Sequence, residues 1–148
     1  MTSTSGLPQK ITDLAEILLR QVHPTHQNSD GTISASAFTP RRNRDEGLLS
    51  THRGSVGSDE AYRRWTEDQG CESIGTWGIS VGEVDDVEVP AEAPRTDPHR
   101  LQALDDAVAI GVPDHASVDF RDLPSHGKIR QAARKLRDYA VARGRMHP

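Results

Sequence analysis

The sequence predicts an α+β fold: one small mixed sheet covered by helices, with a long C-terminal helix. Three observations carry this. From Leu48 onward, candidate strands and helices alternate. The strand candidates are short and unevenly patterned, unlike the near-continuous apolar runs of a doubly wound parallel sheet. Ser125 to Gly144 reads as one helix over about 126–143, with a capping serine, an apolar stripe at Ile129, Ala132, Ala133, Leu136 and Ala140, and a terminating glycine.

In chain order, residues 1–9 read as a disordered lead, and 10–148 as a single domain. Ile11, Leu14, Ala15, Leu18 and Val22 keep the rhythm of a helix face ended by Pro24, with a strand over Ile17–Val22 as the alternative. Asn28 to Gly31 is a turn. Ile33 to Phe38 alternates like a strand, and the two strands could pair as a hairpin. A polar, basic loop over 40–47 leads to a strand at Leu48–Arg53. Ser58 then caps a helix with Asp59 and Glu60 in its first turn, Tyr62 and Trp65 on its buried face and Gly70 at its end.

Ile74 to Val84 reads as the best strand, with Trp77, Ile79 and Val81 on one face and Gly78, Ser80 and Gly82 on the other. The bare face predicts a helix packed closely on the sheet. Residues 85–98 are acidic, proline-rich and loop-like. Asp97 with Pro98 predicts a helix start, with Leu101, Leu104 and Val108 as its buried face and Gly111 as its stop. Ala116, Val118 and Phe120 form one face of a further strand, opposite Ser117 and Asp119.

Composition bounds the class. Leu, Ile, Val and Phe make up 29 of 148 residues, and the net charge is only −4, so a folded domain with a modest core is expected. Charge is segregated. Residues 59–92 hold ten acids against Arg63 and Arg64, and residues 121–148 hold eight bases against Asp122 and Asp138. Such a chain can contact itself, a charged partner or nucleic acid. The lone Cys71 excludes an internal disulfide and argues against a cysteine-based zinc site. The start of the chain lacks the basic-then-apolar pattern of a signal peptide, and no run is long enough to span a membrane, so a cytoplasmic protein is expected.

No metal site is expected. His26 to Ala37 imitates a calcium loop but offers histidine and alanine at its first and last ligand positions. Pro24 separates His23 from His26, and no third histidine follows at ligand spacing. Gly54 to Ser58 lacks the Lys-Ser/Thr of a phosphate loop, and acids follow it. Arg130, Arg134 and Arg137 lie near one line of the last helix and are the expected partner-binding face. Nucleic acid is the less favoured occupant, because only Tyr139 is aromatic nearby and the pI is 5.9.

The stretches Leu19 to Pro24, Ser36-Ala37-Phe38 and Asp45 to Ser50 resemble short bacterial proteins of unknown function. Arg20, Ser50 and Glu83, in that order, resemble the three-part pattern of ADP-ribosyltransferase-like domains. That resemblance implies NAD as cofactor, with the arginine and serine orienting it and the glutamate acting on its ribose. The glutamate pair usual in that family is absent, Glu83 being followed by Asp85. The favoured expectation is therefore an accessory protein that binds another protein and has no catalysis or cofactor of its own. An NAD-dependent transferase is the alternative, and nucleic-acid binding the third reading.

Overall fold

The computed structural model describes residues 7–41 and 46–148. Most of the expected disordered lead, residues 1–6, and part of the expected basic loop, residues 42–45, lie outside the described residues. The strands are β1 (Gln9–Lys10), β2 (Ile17–Gln21), β3 (Leu48–Arg53), β4 (Thr76–Ser80), β5 (Glu88–Val89), β6 (His99–Arg100), β7 (Gln102–Asp105) and β8 (His115–Asp119). The helices are α1 (Ser58–Arg63), α2 (Val81–Asp86), α3 (Ala107–Ile110) and α4 (His126–Arg143). The class is α+β, and the main sheet runs β1-β7-β8-β3-β2-β4. Its pairings among the described residues are all antiparallel, so the expected mixed sheet is an antiparallel one. β5 and β6 form a separate two-stranded ribbon.

Several segments differ from their sequence reading, each for a physical reason. Residues 17–21 form a strand, not a helix. β2 is central, and Leu18 and Leu19 on opposite faces are both fully buried, which removes the alternation that marks a half-exposed strand. Residues 35–38 form a 3-10 turn rather than a strand, because the Ser34 hydroxyl accepts from the Ser36 amide and starts it. The strand at 74–84 stops at Ser80, where Ser80 and Glu83 cap each other and open α2. The helix expected after Asp97 is replaced by β6 and β7. Leu101 and Ala103 enter the core, while Val108, on the short α3, is 72% exposed. The expected loop 85–98 contains the end of α2 and β5. Gly57, not Ser58, is the cap residue of α1, which widens into a π-turn over Arg64–Asp68.

The core lies between one sheet face and α4. Leu18, Leu49, Ile79, Ala103 and Val118 meet Ala132, Ala133, Leu136 and Ala140, with Ala37 and Phe38 filling the end of the layer. Trp77 and Ile79 point into this layer as the alternation predicts, whereas Val81 reaches the core from α2. The bare side of β4 takes the segment after α4 rather than a helix. A Cβ on Gly78 would come within 2.6 Å of Met146 Sδ and Ile17 Cγ2. The Thr76 amide donates to His147 O at 2.6 Å, and the Met146 amide donates to Thr76 O at 2.8 Å, so this segment also occupies the β4 edge. On the core-facing side of β3, Arg53 grips Glu16 with two bonds and Asp105 at 2.8 Å, fastening the turn before β2 to β7.

The strand assignment separates two leucine-type positions that a helix would have put on one face. Leu101→Ala is expected to cost about 2–5 kcal/mol of unfolding free energy. Val108→Ala should stay within about 0.5 kcal/mol of the parent, as measured by urea titration.

Candidate binding groove and sheet-face cavity

α4 sorts its cations into two stripes. Ser125 caps the helix by accepting from the Lys128 amide, and eighteen residues follow without interruption. Lys128 and Lys135, seven residues apart, face the ribbon: their ammonium groups donate to Pro90 O and Glu88 O, both at 2.7 Å. Arg143 pairs with Glu83 at 2.8 Å. The acidic segment 83–92 is thus held against this side of the helix.

Arg130, Arg134 and Arg137 lie along the other stripe, and the structure brings all three together in one groove of 440 Å³. The opposite wall carries the hydroxyls of Ser34, Ser36 and Thr39. Arg137 is tied down, donating to Ile33 O at 3.2 Å and to Asp138 at 2.8 Å. Arg130 and Arg134 are exposed and have no hydrogen bond or ion pair among the described residues. Arg137 also lines an adjoining hollow of 680 Å³, whose floor includes Trp77 and Val141.

The histidines before this groove serve its wall. His23 Nδ1 accepts from the Thr25 amide and starts a short 3-10 turn. His26 Nδ1 bonds the Ser36 hydroxyl at 2.8 Å. Burial, then the nearby Arg20 and His23, hold His26 below its ordinary pKa. No group of three metal-ligating side chains occurs among the described residues.

The second sheet face carries a smaller cavity of 180 Å³, lined in part by Leu19, Gln21, Ser50, His52, Trp65 and His115. Register puts His52 directly opposite His115, and Ser50 opposite Ser117. His115 Nδ1 and the Ser117 hydroxyl both contact the Asp106 carboxylate at 2.6 Å. Burial pushes the Asp106 pKa up, but these two hydrogen bonds outweigh it and hold the carboxyl below its ordinary value.

Arg20 and Ser50 both line this cavity, yet the arginine works as a structural tie. Its side chain lies on the same side of β2 as Leu18, and its guanidinium donates to Ala37 O at 2.9 Å and Ser50 O at 3.0 Å. It bonds β3 just past the last β2–β3 partner pair, Leu19 with His52. Glu83 is not among the residues lining that cavity. It stands in the first turn of α2, accepting from the Ser80 amide at 2.8 Å and from Arg143. Burial raises its pKa, while Arg143 and the cap bond bring it below the ordinary value.

Sequence reasoning missed His52, His115, Asp106 and Gln21. A signal existed in the alternation of β8, where His115, Ser117 and Asp119 share the face opposite Ala116 and Val118.

His52 supplies a pH-dependent term. Burial first, then His115 and Arg64, lower its pKa from 6.5. The unfolded chain therefore takes up a proton near pH 6.5 that the folded chain does not. This stabilisation is complete above pH 6.5 and declines as the pH falls through 6.5 toward the folded value. His26, lowered in the same sense, adds to it. The urea midpoint should drop between about pH 7.5 and about pH 5.5, and His52→Gln should flatten that drop. Carboxylates with lowered pKa act only at more acid pH, outside this window.

Set against known proteins, the chain matches no family model, no characterised protein and no solved structure.

Proposed function

We propose that this chain is an accessory protein without catalysis of its own, which binds a partner protein through the arginine groove of α4. One observation carries the reading: Arg130 and Arg134 are exposed without a counter-ion among the described residues, while Lys128, Lys135 and Arg143 are engaged inside the protein. Cations four residues apart on a helix repel each other by about 0.2–0.5 kcal/mol. An anionic partner relieves that repulsion and gains a charge-assisted hydrogen bond at each guanidinium. The adjoining hollow over Trp77 and Val141 supplies apolar surface beside the charges. Together they suit a segment that alternates carboxylates with apolar side chains.

The NAD-transferase reading gains Arg20 and Ser50 in one cavity, but Glu83 is absent from that lining and paired with Arg143. Partner binding is the better supported reading.

A fluorescein-labelled peptide alternating Glu and Leu is the direct probe. Fluorescence anisotropy should show saturable binding that weakens roughly tenfold or more in the Arg130→Glu, Arg134→Glu double variant. Both positions are exposed, so the fold should persist. Unchanged binding in that variant would remove the groove from the proposal. Binding to duplex DNA instead, with affinity falling steeply as salt rises, would move the assignment to nucleic acid.

A further inference from the structure

The cavity on the second sheet face holds hydrogen-bonding groups that the fold leaves unused. Gln21 is only 8% exposed, and its Oε1 accepts from the Ser73 and Thr76 hydroxyls, both at 2.9 Å. Its Nε2 is buried and has no partner among the described residues. His52 is equally buried, and neither ring nitrogen has a partner among the described residues. Buried polar groups ordinarily find partners, and an unpaired one is costly. Gln21 Nε2 is the buried atom left without a partner among the described residues lining this hollow, and the His52 ring nitrogens stand unbonded at the same hollow.

The chemistry of each group is defined. Asp106 is an acceptor, so His115 Nδ1 carries the proton of that bond, and in the imidazole form of the ring Nε2 presents a lone pair. His115 Nε2 has no partner among the described residues. His52, kept neutral by burial, offers one donor and one acceptor. Gln21 Nε2 is a donor. The charged groups nearby are already engaged: Arg64 with Glu60 and Asp114, Arg20 with two backbone carbonyls. Leu19, Ile110, Val112 and Trp65 complete the wall with apolar surface.

From this geometry we infer that the cavity is a binding site for a neutral, single-ring heterocycle carrying a cyclic amide, a ring N–H beside a carbonyl. The N–H donates to His115 Nε2, and the carbonyl accepts from the His52 ring N–H. The ring lies against the apolar wall. The size fits: a cavity of about 150 Å³ takes one benzene ring, and this one measures 180 Å³. An ionised ligand finds no free counter-charge among the side chains that line it. The site is separate from the α4 groove, so either can fail without the other.

Uracil is the probe, with 1,3-dimethyluracil as its partner: the same ring and carbonyls without an N–H. Long-range proton–nitrogen spectra of the histidine side chains, titrated with each, read the site directly. Uracil should shift the His52 and His115 ring signals saturably, with dimethyluracil weaker by roughly tenfold or more, the effect of one unmade hydrogen bond. His115→Phe should abolish the discrimination. If that variant unfolds, Ile110→Trp serves, since Ile110 is 51% exposed at the rim and a larger side chain there closes the cavity without entering the core. Uracil shifts lost in Ile110→Trp support the site. No shift of either histidine, equal binding of the two probes, or binding indifferent to Ile110→Trp overturns it.

Discussion

The packing of α4 on the antiparallel sheet is the constraint on which the rest depends. Its inner stripe is mostly alanine, with Leu136 as the one large fully buried side chain. Small residues bring the helix close to the sheet, and close packing leaves little freedom to rotate about its axis. Fixing the rotation fixes everything the helix displays. Lys128 and Lys135 must face the acidic ribbon, and Arg130 and Arg134 must face the 3-10 turn at 35–38. The division of cations into a stripe facing the ribbon and a stripe facing the groove follows from the apolar pattern, not from the charges themselves.

The two sheet faces do different work. The face under α4 is filled mainly by the apolar side chains of Leu18, Leu49, Ile79 and Val118. The other face carries Gln21, His52, His115, Ser117 and Asp119, a set of polar groups unusual for a surface this well covered. Several satisfy one another: Asp106 accepts from Ser117 and pairs with His115, and Asp119 receives Arg121 and Gln102. Burial raises the Asp119 pKa, but its bonds to Arg121 and Gln102 outweigh that and lower it. A network of this kind fixes side-chain positions within the low-dielectric interior.

How much of this was legible depended on how each segment meets water. α4 was readable to its caps because one face is buried and the other solvated, so the helical period survives in the sequence. β8 and the core of β4 were readable although both faces are buried, because polar or small residues on one face alternate with apolar ones on the other: His115, Ser117 and Asp119 against Ala116 and Val118, and Gly78 and Ser80 against Trp77 and Ile79. β2 and β7 were not, because their neighbours bury both faces, and the apolar positions then mimic helical spacing by coincidence. The stripe at Arg130, Arg134 and Arg137 was visible as spacing alone. The cavity was not, because His52 and His115 lie far apart in the chain and become neighbours only through the β3–β8 register.

The β4 edge has a consequence in time. Its covering segment, Met146 and His147, comes after α4 in the chain, whereas β4 itself is made long before. As the chain emerges from the ribosome, β4 can already lie beside β2 while its outer row of amides and carbonyls stays open. That row is sealed only when α4 has docked and the following residues have turned onto Gly78 and Thr76. The nascent protein thus passes through a stage with a bare strand edge, the state in which neighbouring copies join strand to strand.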